Sequence, residues 1–361
     1  MLQKLIRFLP LAEKVVPKKT TLPILSHVCI KDGFIFATDL ENTVQMKIDD
    51  TRNYTIPMNV LKTILKAKPK SLEINLLEDE KVQMTYDNRH LTFKSLDTDE
   101  FPSIPVGTFK SLGHWSLDLI RKLQSQVAYA SKDELKPAIT GVYVHQNGKM
   151  ESCATDGHVM RLMEDASLGS ESMLKGNLKG VIPKKALLIL SRMVKGDLPV
   201  SATDKHLKFN LNGMDFFVRL IDEKYPDFRS VIPEDFMGSV LLKTSEFSDL
   251  VKDAKHFVFG ESKQGNFDIG SRGIDLHVNN PEKGFQWDAK LPVSEHSGDE
   301  IKIGLNVHYL EKILKGISEK ELTWEYSSSV SASILKGVNG KASNVTHLIM
   351  PVRIKENSHG E

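Results

Sequence analysis

The sequence predicts an α+β fold of three similar domains, and three observations carry that prediction. The tripeptide Ala37-Thr38-Asp39 returns 117 positions later as Ala154-Thr155-Asp156, each time after an apolar, strand-like run. An order of helix, strands, helix, strands recurs three times along the 361 residues. Each cycle closes on an apolar stretch containing a proline, at Pro105, Pro233 and Pro351. Links of hairpin length leave little room for parallel crossovers, so the sheets are expected to be antiparallel. The implied domains are 1–112, 113–238 and 239–361. A further Ala202-Thr203-Asp204 stands only 48 positions on, in a different local setting, and reads as coincidence.

In the first repeat, Leu5, Leu9, Ala12 and Val16 make one apolar helical face, with Pro10 expected in the first turns. Strands are expected at 25–30, 34–38 and 43–48, with Lys31-Asp32-Gly33 as a turn. Ile56-Pro57 then opens a helix whose inner face is Val60, Leu61, Ile64 and Leu65. Strands at 71–77, 81–86 and 90–95 complete the repeat. The second repeat has a helix carrying Ile120, Leu123 and Val127, strands on both sides of Lys149, and a helix opened by Ile182-Pro183 with Leu187, Leu190 and Val194 inward. Its last strands, 206–211 and 215–220, run into Tyr225-Pro226-Asp227-Phe228. The third has a helix with Phe247, Leu250, Val251 and Ala254, then strands around Phe267 and at 274–278. Asn279-Asn280-Pro281-Glu282 stands where the earlier repeats have Thr-Asp, and Ile303-Gly304 replaces Ile-Pro. Its second helix shows Val307, Leu310, Leu314 and Ile317.

Composition limits the function more than it names it. Forty-eight basic residues against 47 acidic ones give a net charge of +1, so the totals favour neither nucleic acid nor membrane. Cys29 and Cys153 are the only cysteines, which implies free thiols in a reducing compartment and neither a disulfide nor a metal framework. No stretch reaches the roughly 20 apolar residues of a membrane span, and a cytoplasmic location is expected. The distribution of charge is more informative. Lys62 and Lys66, then Lys185, Arg192 and Lys195, then His308, Lys312 and Lys315 recur at intervals of three, four or seven away from the apolar stripes. Arg121, Lys122, Lys252 and Lys255 mark the first helices of repeats two and three. Taken alone, such faces are ordinary solvated helix surfaces.

Six motifs in order make the chain resemble the bacterial replicative sliding clamps, the beta subunits of DNA polymerase III. They are Thr21-Leu22-Pro23-Ile24-Leu25, Thr38-Asp39-Leu40-Glu41, Lys132-Asp133-Glu134-Leu135-Lys136-Pro137, Thr155-Asp156-Gly157-His158, Tyr225-Pro226-Asp227-Phe228 and Met350-Pro351-Val352-Arg353. The resemblance implies a DNA-clamp fold in which each domain packs two helices on antiparallel sheets and two chains close head to tail into a ring. It implies a processivity factor, not an enzyme, without cofactor or metal, that holds double-stranded DNA without reading sequence. Polymerase, clamp loader and repair polymerases would bind through short linear motifs. DNA-facing residues would be Lys19, Lys62, Lys66, Arg121, Lys122, Lys185, Arg192, Lys195, Lys252, Lys312 and Lys315. The matching positions of the peptide pocket are Ile139, Thr155, Gly157, His158, Val159, Met160, Pro226, Val231, Leu348, Ile349, Met350, Pro351 and Val352. Leu91 and Phe93 would meet Phe257 and Val258 of the other chain. The family often has arginine where Val159 and Ser230 stand, so the partner motif is expected to differ. The N-terminus lacks a clear strand before the first helix, and a tail, Lys355 to Glu361, is expected to be mobile beside the pocket.

Two other readings compete. Cys153, Asp156 and His158 are residue types of a cysteine hydrolase, but side chains alternate along a strand and such partners are normally far apart in sequence. A repeat scaffold that binds proteins without encircling DNA would share the fold and the groove, and salt-dependent retention on closed circular DNA separates the two.

Overall fold

The computed structural model describes residues 1–165, 174–280, 284–338 and 344–354, so the tail 355–361 lies outside the described residues. The first repeat runs α1 (Leu2–Val15), β1 (His27–Lys31), β2 (Phe34–Thr38), β3 (Asn42–Lys47), β4 (Tyr54–Pro57), α2 (Met58–Lys66), β5 (Leu72–Leu76), β6 (Lys81–Tyr86) and β7 (Arg89–Lys94). The second runs β8 (Lys110–Trp115), α3 (Leu117–Gln126), β9 (Gly141–Asn147), β10 (Met150–Thr155), β11 (Val159–Asp165), β12 (Asn177–Pro183), α4 (Lys184–Met193), β13 (Leu198–Ala202), β14 (His206–Leu211) and β15 (Met214–Arg219). The third opens with β16 (Gly238–Lys243), α5 (Thr244–Ala254), β17 (Gln264–Gly270), β18 (Gly273–Asn280), β19 (Phe285–Leu291) and β20 (Glu295–Gly298). It ends with β21 (Ile301–Asn306), α6 (Val307–Leu314), β22 (Glu321–Tyr326), β23 (Ser333–Gly337) and β24 (Val345–Ile349). The strands pair antiparallel, as the short links require.

Contacts divide the chain into two units. One holds Met1–Gln124, Gln146–Gly148 and Ser170–Asp222, and the other holds the remainder. The first unit has one eight-stranded sheet in the order β4-β1-β2-β3-β15-β14-β13-β8. Strand β3 of the first repeat is joined there to β15 of the second, with Thr43 opposite Phe217. The second unit repeats the plan as β9-β10-β11-β24-β23-β22-β16, with β20 added outside β16. Its join is β11 to β24, with Met160 opposite Leu348. Two smaller sheets are left over, β5-β6-β7 in the first unit and β19-β18-β17-β21 in the second.

Helices form where the apolar spacing falls near 3.6, and they bury that stripe. Helix α1 buries Leu5, Phe8, Leu11, Ala12 and Val15 and packs on β2, β3, α2 and α4. Helix α6 buries Val307, Leu310, Ile313 and Leu314 against α5, β21 and β24. Trp324 is fully buried in the second unit, stacked on Phe247 at 5.7 Å with the Phe267 edge at 5.4 Å. In the first unit Trp115 meets Phe209 at 5.5 Å, and its Nε1–H donates to Gln146 Oε1 at 2.9 Å. Among the described residues no helix is long and apolar enough to cross a membrane.

Several local expectations are corrected. Helix α1 already begins at Leu2, so Pro10 lies mid-helix, with its ring on the solvent side where a missing N–H costs least. The strand expected from Leu25 starts only at His27, because Pro23 initiates a 3-10 turn and Ser26 Oγ donates back to Pro23 O at 2.6 Å. Strands β4, β8, β12, β16 and β21 lead into helices, and none of them is anticipated by the apolar patterning. Pro57 and Pro183 are therefore strand ends and N-caps of α2 and α4. Their third counterpart is Asn306, not Gly304: its Oδ1 accepts from the N–H groups of His308 and Tyr309 at 3.0 and 3.1 Å. Asn279 and Asn280 lie inside β18, while Pro281 and Glu282 fall outside the described residues.

The outer edge of β13 is covered by β8 and that of β22 by β16. At β5 an arginine takes that place. Arg52 Nη1 donates to Ile74 O at 3.0 Å, while its Nε and Nη2 hold both oxygens of Asp50 at 2.9 and 2.7 Å. The Asp50 side chain is only 8% exposed and also accepts from Tyr54 OH at 2.8 Å. Arg52 holds this carboxyl below its usual range. Arg52→Ala strands a buried carboxylate, so chemical denaturation should show a loss of about 1–3 kcal/mol. Arg52→Lys cannot rebuild the fork and should recover only part of it. An unchanged midpoint in both variants would contradict this role of Arg52 at the edge.

Candidate peptide-binding site and basic helix faces

The repeated Ala-Thr-Asp is a turn that wires itself. In the first copy Thr38 Oγ1 donates to Asn42 O at 3.1 Å, and Asp39 Oδ1 accepts from the N–H groups of Glu41 and Asn42 at 3.1 and 2.6 Å. In the second, Thr155 Oγ1 donates to Val159 O at 2.8 Å, and Asp156 Oδ1 accepts from His158 and Val159 N–H, both at 3.0 Å. The third turn residue is left-handed in both, Leu40 at φ 79° and Gly157 at φ 92°, a conformation glycine adopts without strain. Each turn aspartate also holds a helix lysine. Asp39 Oδ2 takes Lys185 Nζ at 2.5 Å, and Asp156 Oδ2 takes Lys312 Nζ at 3.3 Å.

The second turn lies in a surface assembled wholly within the second unit. Pairing of β11 with β24 sets Val159 opposite Ile349 and Met160 opposite Leu348. Met350 N–H then donates to His158 O at 2.8 Å, and Val352 N–H to Gly304 O at 2.7 Å. Gly304 permits that approach, since a Cβ there would stand 2.5 Å from Val352 O. The His158 ring stacks on Tyr309 of α6 at 5.6 Å, and Lys312 Nζ lies 4.9 Å from the same tyrosine ring. Tyr225 OH donates to Cys153 O at 3.3 Å and its ring stacks on Tyr143 at 5.1 Å, which anchors Pro226 beside β10. Arg229 binds Glu164 at 3.0 Å and also Glu151, fixing the turn that carries Val231.

The thirteen residues expected in the pocket therefore divide. Val159, Met160, Leu348 and Ile349 are at most 2% exposed and form the floor. Gly157, His158, Pro226 and Val231 are exposed, while Ile139, Thr155, Met350, Pro351 and Val352 are half-buried. Ile139 ends the 3-10 turn Pro137–Ile139 ahead of β9. The arrangement offers a mostly apolar rim. Cys153 is fully buried and burial pushes its thiol up to about 12, so it has no thiolate to supply for the hydrolase chemistry.

Beneath β11 lies a buried polar cluster that sequence reasoning missed. Arg161 stands opposite His347 across the β11–β24 join, its guanidinium donates to Ser125 Oγ, and its Nε is buried without a partner among the described residues. His347 Nδ1 lies 3.0 Å from Tyr129 OH. Burial, reinforced by the charge of Arg161, pushes the His347 imidazole down to about 3.

The expected DNA-facing cations separate as well. Lys62 is tied to Glu13 at 2.7 Å, Lys122 to Asp118 at 3.0 Å, Lys252 to Asp249 at 2.9 Å and Lys315 to Glu311 at 2.7 Å, besides Lys185 and Lys312 above. Lys19, Lys66, Arg121, Arg192 and Lys195 are exposed, with no ion-pair partner among the described residues. Lys19 and Lys195 lie outside helices. Of the four residues expected at a chain junction, Leu91 and Phe93 sit on edge strand β7. Phe257 stacks on Trp287 of edge strand β19 at 5.4 Å, while Val258 is buried at 5% exposure.

Residues 116–227 match the family model described as DNA polymerase III beta subunit, central domain, and residues 229–353 match its C-terminal domain. Among curated proteins, the Beta sliding clamp of Staphylococcus epidermidis is 25% identical over 364 residues, covering 94% of each chain. That of Pseudomonas aeruginosa is 23% identical and covers 98% of each. Among solved structures, the DNA polymerase sliding clamp from Bacillus subtilis shares the fold with a TM-score of 0.84 at 22% identity over 98% of each chain.

Proposed function

The chain belongs to the bacterial DNA polymerase III beta subunit family, as a divergent member, and from that membership we propose that it is a sliding clamp. It works as a processivity factor, a non-catalytic subunit that tethers DNA enzymes to duplex DNA. Two chains close head to tail into a ring, and the ring slides along DNA without leaving it. Tethering raises the polymerase's effective concentration at the primer end. The observation that carries this reading is the join repeated in both units, β3 to β15 and β11 to β24, together with two half-sheets left with open edges. A second copy closes those edges and makes a third sheet of the same plan. The same repetition supports domains 1–112, 113–238 and 239–361, each lending strands to two successive sheets.

Phosphates are held by Lys19, Lys66, Arg121, Arg192 and Lys195 first, because these cations are not already neutralised. Lys62, Lys122, Lys185, Lys252, Lys312 and Lys315 share their charge with a carboxylate and contribute less. Such contacts carry affinity without sequence readout, and the protein works in the cytoplasm, where bacterial DNA is copied. Polymerase, clamp loader and repair polymerases dock a short motif on the rim of His158, Pro226, Val231, Met350, Pro351 and Val352. His158→Ala with Met350→Ala removes two rim side chains and leaves the buried floor intact. The double variant should bind a partner-derived peptide about tenfold or more weakly, ~1.4 kcal/mol, with an unchanged unfolding midpoint. Unchanged affinity would move the docking site elsewhere.

A further inference from the structure

We infer that Lys312 is a positioning residue of the docking surface: it ties the Thr155–His158 turn to α6 and so sets the His158 and Tyr309 rings as one platform for the incoming peptide. The inference rests on the docking reading above and adds to it a residue beneath the rim.

The Lys312 ammonium is held from three sides, all within the second unit. Asp156 Oδ2 takes Nζ at 3.3 Å, while Oδ1 of the same carboxylate holds the turn itself by accepting from His158 and Val159 N–H. Nζ also stands 4.9 Å from the centre of the Tyr309 ring and 5.8 Å from that of Tyr129. Only 26% of the lysine side chain is exposed. The His158 ring in turn lies on Tyr309, 5.6 Å between centres and 18° between planes, with its Nδ1 4.0 Å from Asp156 Oδ1. Its side chain is 67% exposed, so the stack and the turn beneath it fix the ring. Turn and helix are thus joined twice: the turn carries the carboxylate and one ring, and α6 carries the other ring and, three residues on, the cation.

The first unit separates the tie from the platform. Its turn aspartate, Asp39, holds Lys185, the second residue of α4, whereas Lys312 is the sixth residue of α6. A difference of four is about one helical turn, so the two lysines project from the same helix face and reach a turn aspartate from different positions. The rings have no counterpart there. Ala186 stands at the place of Tyr309. Glu41 stands at that of His158, since its carbonyl accepts from Arg219 N–H at 2.7 Å as His158 O accepts from Met350 N–H at 2.8 Å. An ion pair that only joined turn to helix would serve from the second position, as Lys185 does. The sixth position also brings the charge onto the ring that carries His158. Without it, the peptide has to order both rings on binding, which costs affinity.

The test is a double-mutant cycle on the full chain, read by titration of a labelled peptide carrying the clamp-binding segment of the replicative polymerase. Lys312→Met keeps the length and drops the charge, and should weaken binding about fivefold, the cost of ordering one or two side chains. Lys312→Arg should recover most of that loss, and Lys312→Gln repeats the comparison with a polar end. In a His158→Ala background, Lys312→Met should cost less than about twofold, because the ring it positions is gone. Lys255→Met removes a different lysine from α6, the partner of Glu311 at 2.8 Å, and should leave peptide affinity unchanged. NMR of the chain without peptide adds a second readout: the imidazole signals of His158, shifted by the Tyr309 ring, should move in Lys312→Met and stay in Lys255→Met. Equal costs of Lys312→Met with and without the His158 ring, or unmoved imidazole signals, would reduce the lysine to a structural tie. Lost DNA affinity with unchanged peptide affinity would return it to the DNA-facing cations. In each of these cases the docking site stands as long as His158→Ala with Met350→Ala still weakens binding; if that double variant binds normally too, the docking site itself is contradicted.

Discussion

Replacing Lys66, Arg121 and Arg192 together with glutamate is expected to weaken binding to double-stranded DNA by a factor of ten or more at moderate salt. These cations are exposed, and no carboxylate among the described residues neutralises them. For every phosphate left without its cation, the dependence of log affinity on log salt should flatten by about 0.9. Lys252→Ala gives the contrast. That lysine already rests on Asp249 at 2.9 Å, so its removal should change affinity less than about twofold. Titrations of labelled duplex at several salt concentrations read both numbers. Equal losses in the two variants would mean that the paired lysines meet the phosphates after all.

Acid should unfold the second unit through His347. In the folded chain its imidazole is held near 3 by burial, and released it returns to an ordinary value near 6.5. The unfolded chain therefore binds the extra proton between these two values, and the sign is fixed: stability is full above about pH 6.5 and is lost as pH falls toward about 3. The slope from this one group is about 1.4 kcal/mol per pH unit, and roughly 3 kcal/mol is gone by about pH 4. Arg161, directly opposite, makes protonation still less favourable. His347→Asn keeps a polar partner for Tyr129 and lacks the titration, so its stability should fall less steeply over the same range. Parallel slopes for the two proteins would assign the acid sensitivity elsewhere.

What was legible in the sequence was periodic or local. Apolar spacing placed α4, α5 and α6, and the repeated Thr-Asp marked a turn whose hydrogen bonds are the same in both copies. Non-local contacts were not legible. Nothing along the chain links His158 to Tyr309, or Lys185 to Asp39 across 146 residues, yet those contacts decide which rings and cations are available. Strand β11 is buried on both faces from Val159 to Met163, and its partner β24 buries Leu348 and Ile349, so four pocket positions became floor instead of rim. Of the strands that lead into helices, β4 and β12 were hidden because each ends in a proline that reads as a helix start. Arg52 gave no signal at all, since its role depends on the uncovered edge of β5.

Retention on closed circular DNA tests the central claim most directly. Ring loaded on a nicked circle by a clamp loader, then challenged with salt that abolishes phosphate contacts, should stay bound, and a single cut in the circle should release it within the time needed to slide off the end. Loss from circle and linear DNA at the same rate would show that the protein binds DNA without encircling it, and would contradict the clamp.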